Sequence, residues 1–124
     1  MTGDFNVLEP SHVPRYHFFA PFEYEFYDWF AGNAYTDAFR HLHPDRCEYS
    51  WVGRTGDGYR YDHAHVSLAL VDSLTGCSYV HEPRVMAGRL TDHSALSVRL
   101  AATATGRLPV TAPGTGDLLP SALF

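Results

Sequence analysis

Three short stretches of this 124-residue chain set an acid beside another polar group where a strand is expected to end. Asp4 and Asn6 flank Phe5, Arg60 and Asp62 flank Tyr61, and Asp92 directly precedes His93. Taken singly, an aspartate in such a place is more often a turn former or a helix cap than a reactive group. Taken together, the three stretches supply what hydrolysis of a phosphate ester requires. They offer carboxylates for a hard, oxygen-seeking cation, a carboxylate to orient a water, and a neutral or cationic donor for the phosphoryl oxygens.

The elements that must carry these residues follow from periodicity. Asp4 and Asn6, one residue apart and followed by Val7-Leu8, read as the last rung of a buried strand opening into a loop. Pro10, Pro14 and Pro21 keep residues 8–21 irregular, and Tyr16, Phe18 and Phe19 give that loop apolar anchors. Phe22, Phe26, Trp29 and Phe30 recur on one helical face, and Gly32-Asn33 ends the helix. Thr36-Asp37 caps a short helix over 38–42 that stops before Pro44. Residues 49–52 read as a strand, and Gly53 to Gly58, which contains Gly-Asp-Gly, turns it into a second strand over 59–67. In that strand Tyr61, His63, His65 and Ser67 share one face, and Arg60, Asp62, Ala64 and Val66 the other. Residues 68–74 form a short helix or turn, and 77–81 and 94–100 are strands. Residues 104–124 are rich in Ala, Thr, Gly and Pro, with little charge and no periodicity, and are expected to be a disordered tail. Short strands alternating with short helices and turns imply an α/β arrangement of the α+β type with local strand pairing, not a doubly wound parallel sheet.

Composition bounds the function. The length allows one domain, and 45% hydrophobic with 15% aromatic residues is enough for a packed core. A net charge of −5 and a pI near 5.8 argue against a protein that grips nucleic acid by bulk positive charge. A nuclease is compatible with that balance, because a carboxylate-rich metal site lowers the net charge. All nine basic residues are arginines, the better side chain for bidentate contact with phosphate. Arg54 and Arg60, flanking the Gly-Asp-Gly turn, are the candidates for such a contact, with ordinary surface charge or a pair with Asp57 as the competing reading. Cys47 and Cys77 are too few for a disulfide framework and read as free thiols. Without a membrane-length apolar run or a leader pattern, the expectation is a cytoplasmic protein with no membrane partner. The pairs His41/His43 and His63/His65 raise zinc, but the sequence places no further ligand at customary spacing, so His63 reads as a core or cleft residue beside Asp62 and His65 as a satisfied polar neighbour.

The same stretches match a family in order. Gly3-Asp4-Phe5-Asn6, Tyr49-Ser50-Trp51, Tyr59-Arg60-Tyr61-Asp62-His63 closed by Ser67, and Leu90-Thr91-Asp92-His93-Ser94-Ala95 resemble the endonuclease/exonuclease/phosphatase superfamily. The stretch from Thr36-Asp37-Ala38-Phe39-Arg40 through Tyr49-Ser50-Trp51 brings the likeness closest to the exonuclease III-like abasic-site endonucleases. The resemblance implies that Asp4 orients or deprotonates the attacking water, that Asn6 hydrogen-bonds the phosphate, and that His93 acts on the scissile phosphate as donor or base. It implies that Asp62 orients His93, that Asp92 and Asp4 belong to a site for Mg2+ or Mn2+, and that Trp51 walls the site and contacts DNA.

The resemblance also implies a four-layer α-β-β-α sandwich, of which residues 1–103 look like the C-terminal half: one mixed or antiparallel sheet with flanking short helices. The family's first half, with the Asn and Glu that hold the metal, has no counterpart here. The expected function is a metal-dependent phosphodiesterase of the DNA-repair type, acting on abasic or 3′-end DNA, with weak metal binding and weak or absent activity in this half alone. An uncovered sheet face would favour self-association. The competing readings are a non-catalytic remnant of such a domain and a superfamily hydrolase acting on lipid, inositol or small-molecule phosphates.

Overall fold

The computed structural model describes residues 1–103. Its elements run β1 (Thr2–Asp4), α1 (Pro21–Gly32), β2 (Tyr35–Asp37), α2 (Ala38–Leu42), β3 (Trp51–Val52), β4 (Gly58–Tyr59), β5 (Asp62–Ser67), α3 (Leu68–Val71), β6 (Leu74–Val80), α4 (Glu82–Val85) and β7 (Ala95–Leu100). The expected tail at 104–124 lies outside the described residues.

The expected single sheet is divided. A three-stranded sheet in the order β1-β5-β2 stands beside the two-stranded pairs β3-β4 and β6-β7, and every pairing is antiparallel. The reason is local. The run 59–67 is not one strand, because the amides of Tyr61 and Asp62 leave the ladder and donate to Ser50 Oγ at 3.0 and 3.1 Å, while the Arg60 amide donates to His12 Nε2 at 3.3 Å. This break shifts the alternation, so Arg60 and His63 both turn inward although the sequence pattern set them on opposite faces. β1 is an edge strand with mostly exposed residues rather than a buried rung, since β5 is its one partner.

Helix α2 forms because Asp37 caps it, its Oδ1 accepting from the Arg40 amide at 3.0 Å. The helix buries Ala38 and Phe39 against β5 and β6, making a core with Ala64, Val66, Leu74, Cys77 and Tyr79. Helix α1 starts with Pro21 in its first turn and the Ala20 amide on Glu23 Oε2 at 2.7 Å. Of its expected apolar face only Phe30 is buried, and Phe22, Phe26 and Trp29 stay exposed. The turn between β3 and β4 needs glycine at two places: Gly56 has φ +91°, and a Cβ on Gly58 would fall 2.2 Å from the Tyr49 ring. Strand β2 and helix α4 have no signal in the sequence pattern beyond the cap at Asp37. Cys47 is exposed and Cys77 buried, both as free thiols. No helix among the described residues is long and apolar enough to cross a membrane.

Candidate active site

Asp4 ends β1 and Asp62 begins β5, and the two residues face each other in the strand register. His93 reaches the same place from the segment before β7, because residues 93 and 94 are tied to β3: Trp51 bridges to His93, and the Ser94 amide donates to the Ser50 carbonyl at 2.7 Å. Ser50, fully buried, therefore fixes both sides of the site, its hydroxyl holding the amide of Asp62 and its carbonyl holding the residue after His93. Ser50 shows in the sequence only as one letter of the Tyr49-Ser50-Trp51 motif, because a lone serine carries no spacing signal.

The geometry is that of an oriented imidazole between two carboxylates. His93 Nδ1 lies 2.8 Å from Asp62 Oδ2, and a carboxylate only accepts, so Nδ1–H donates and Nε2 is left to face outward. Nε2 stands 3.9 Å from Asp4 Oδ2. The other Asp4 oxygen, Oδ1, accepts from the Asn6 amide at 3.0 Å, in a turn where Asn6 takes a left-handed φ of 53°. Asp4 thus keeps one oxygen occupied and aims the other at His93. The gap of 3.9 Å is too long for a hydrogen bond and leaves place for a bridging oxygen atom. Tyr61, adjacent to Asp62, has its hydroxyl pushed up to about 12 by burial and by the nearby Tyr59 and Asp4, so it stays a protonated donor.

The remaining expected site residues lie differently. Trp51 is half-buried, packs at a tilt against Tyr59 and Tyr61, and donates from its indole Nε1 to Asp92 Oδ2 at 3.1 Å. That hydrogen bond holds the exposed Asp92 carboxyl below its usual range. Asp92 is absent from the group formed by Asp4, Asp62 and His93, whose candidate ligand atoms lie within 4.8 Å of one another. Arg54 is exposed in the β3–β4 turn, with no hydrogen bond or ion pair to the three among the described residues. Asp57, its suggested partner, accepts from Thr55 instead.

Arg60 is the main correction: it is fully buried and cannot touch a phosphate backbone. Its Nε and Nη2 bind Glu9 at 3.0 and 2.8 Å, and Nη2 also reaches Asp37 Oδ2 at 2.7 Å. Arg40 grips the same Glu9 from the other side with two bonds of 2.6 Å. Burial raises the pKa of Glu9, but hydrogen bonds and charge from Arg40 and Arg60 outweigh it and bring the group to about 2. Asp37 is likewise held well below the carboxylate range, with burial opposed by the His63 hydrogen bond and by Arg60. Glu9 gave no sign of this role in the sequence, where it is a lone acid in a proline-rich loop.

No protein-family model matches the sequence, and no curated protein matches it. Among solved structures, the 3′-5′ exonuclease NExo from Neisseria meningitidis superimposes with a TM-score of 0.59 and 26% identity, covering 64% of this chain and 33% of that one. A Neisseria 3′ phosphatase NExo bound to a product DNA hairpin gives the same figures, a TM-score of 0.59, 26% identity, and 64% and 33% coverage. The chain spans about a third of the length of these proteins. The likeness supports the endonuclease/exonuclease/phosphatase superfamily, and the mixed α+β arrangement of small antiparallel sheets agrees with part of an exonuclease fold.

Proposed function

We propose that the chain carries one wall of a metal-dependent phosphodiesterase site of the exonuclease III-like type, acting on the 3′ end of DNA or on an abasic site. The observation that carries this reading is the convergence of Asp4, Asp62 and His93, separated by up to 89 positions in the chain, on one partly exposed spot. The likeness to a 3′-5′ exonuclease and a DNA-bound 3′ phosphatase supports DNA as the substrate class.

In this reading Asp62 fixes the His93 ring, and Nε2–H of the protonated ring, or the bare Nε2 of the neutral one, meets the phosphoryl group or a water. Asp4 Oδ2 orients the water and accepts its proton as the water oxygen bonds to phosphorus and the P–O bond to the leaving oxygen breaks, that oxygen taking a proton from His93 Nε2–H or from solvent, while the Asn6 amide occupies Oδ1. The donor set suits Mg2+ or Mn2+, which take one or two carboxylates together with substrate phosphate oxygens: Asp4 and Asp62 would hold the ion. Such an ion, when bound, neutralises phosphoryl charge and acidifies water. Two carboxylates from a single wall leave the ion weakly held, and the second wall of the four-layer sandwich would come from outside this chain. Self-association through exposed apolar surface, chiefly Phe22, Phe26 and Trp29 of α1, belongs to the same proposal and is read by sedimentation.

The test is a 3′-phosphorylated or abasic duplex with Mg2+, read for both binding and cleavage. Saturable, Mg2+-dependent binding with slow cleavage is expected, and His93→Ala or Asp62→Asn should lower the cleavage rate by about 100-fold or more. Absence of both binding and cleavage, or cleavage indifferent to both substitutions, would overturn the reading. Binding without cleavage would favour a remnant that keeps the wall but not the reaction.

A further inference from the structure

The segment that delivers His93 to the site is exposed along its approach: residues 85–92 all face solvent, and Ser94, only 2% exposed, is the first buried residue after them. Whatever fixes Ser94 therefore fixes the imidazole beside it. We propose that His81, held by Glu48, is a positioning residue that clamps Ser94 and so sets the place of the His93 ring at the site. The inference deepens the proposed function and rests on it for the effect on rate, whereas the orientation of the ring is independent of any reaction.

Three segments meet at this clamp: Glu48 lies before β3, His81 directly before α4, and Ser94 directly before β7. Glu48 Oε1 lies 2.8 Å from His81 Nε2, and a carboxylate only accepts, so Nε2–H donates and Nδ1 of the neutral ring is left as an acceptor. Ser94 Oγ lies 2.7 Å from that Nδ1 and accepts from Arg84 Nε at 2.9 Å, so its own hydrogen goes to Nδ1. Every member then donates in one direction, Arg84 to Ser94 to His81 to Glu48, and such a row is mutually reinforcing. The row closes on the backbone. The Ser94 amide donates to the Ser50 carbonyl at 2.7 Å, and Ser50 stands two residues after Glu48. One short stretch thus grips Ser94 by its amide directly and by its hydroxyl through His81. Because the Ser50 hydroxyl also holds the Asp62 amide, the same stretch sets both ends of the bond between His93 and Asp62.

A serine, an imidazole and a carboxylate in a row are also the parts of a nucleophilic triad, but this row has no such use. Ser94 is enclosed, and its oxygen is engaged by Arg84 and His81. What remains is orientation. The His93 ring has one close bond, from Nδ1 to Asp62 Oδ2 at 2.8 Å, and its Nε2 is left open toward Asp4 at 3.9 Å. Movement of the 93–94 backbone disturbs both at once, and a misplacement of about 1 Å is enough to cost on the order of 100-fold in rate. The sequence pattern marks His81 only as the end of a strand, since its two partners lie 13 and 33 positions away.

The experiment compares the natural full chain with His81→Leu, which removes both ring nitrogens, and with His81→Asn, whose Oδ1 replaces Nδ1 as the acceptor for Ser94. Each is read by imidazole nitrogen NMR at about pH 8, where an ordinary imidazole is neutral, and by Mg2+-dependent cleavage of a 3′-phosphorylated duplex. In the natural chain His93 should show one tautomer, with its hydrogen on Nδ1. In His81→Leu it should become a mixture of tautomers while the amide signals of the core residues Ala64 and Val66 stay in place. The same variant should lower kcat by about 10-fold or more at unchanged KM, and His81→Asn should recover most of that loss, which a merely structural role would not produce. A folded His81→Leu chain that keeps the His93 tautomer or the natural kcat would overturn the proposal, as would equal losses in the two variants. If His81→Leu does not fold, Ser94→Ala decides in its place: a mixed His93 tautomer supports the clamp, and an unchanged one rejects it. A natural chain that cleaves nothing, yet whose His93 tautomer responds to these substitutions, would refute the proposed function and leave the positioning role in place.

Discussion

Arg60 and Asp62 stand two residues apart, yet one ends in the core and the other at a surface site. The inner group, Glu9, Asp37, Arg40 and Arg60, spends its charges on itself: Glu9 is held by two arginines and Asp37 by Arg60, Tyr27 and the α2 amide. The outer group, Asp4, Asp62 and His93, has one close ion pair and then stops, leaving Asp4 Oδ2 and His93 Nε2 3.9 Å apart without a bond. Residue type alone does not separate a structural network from a reactive one. What separates them is whether the last donor and acceptor are already engaged.

The contrast is open to direct attack. Arg60→Met would leave two buried carboxylates without their cation, a change that costs about 3–5 kcal/mol, and denaturant unfolding measures it. A loss below about 1 kcal/mol would mean that the inner network is not holding the fold together.

Glu9→Gln comes next. It keeps the shape but takes the charge from two arginine pairs, with an expected cost of about 1.5–3 kcal/mol. The pH dependence gives its sign. Because Glu9 is lowered from 4.5 to about 2 on folding, its contribution is complete above pH 4.5 and is lost as pH falls toward about 2. The Gln variant should lack that acid limb.

His65 acts at milder acidity. Its pKa falls from 6.5 to about 4 on folding, so the folded state favours the neutral ring, and stability present above pH 6.5 declines as pH drops to about 4. His12, also lowered by burial, adds a loss of the same sign. Thermal unfolding between pH 7 and 5 should show a falling Tm for the natural chain and a flatter course for His65→Phe.

The smallest change in stability belongs to the outer group. His93→Ala removes a partly exposed imidazole and one ion pair with Asp62, worth about 1 kcal/mol or less. A fall of 3 kcal/mol or more would place His93 in the architecture and erase the distinction between the two regions.

The sequence made the short-range features legible. The cap at Asp37, the helix over 38–42 and the Gly53–Gly58 turn all depend on neighbours a few residues away. Asp4, Asp62 and His93 were visible through motif order, because that resemblance encodes their meeting although spacing does not. Arg60 was misplaced because period-2 alternation assumes an unbroken strand, and the Ser50 hydroxyl and His12 break it from afar. The role of Glu9 was invisible for the same reason: it is set by contacts across 31 and 51 positions of chain. The three small sheets were unforeseeable from a pattern that marks strands but not their partners.

In the proposed function the outer group receives a phosphate. The most direct check is NMR titration of the natural chain with a 3′-phosphorylated oligonucleotide in the presence and absence of Mg2+, following backbone amides and the His93 ring. The signals of Asp4, Asn6, Asp62 and His93 should shift together, saturably, and only with Mg2+. Shifts that leave His93 unmoved while gathering elsewhere on the surface would contradict it.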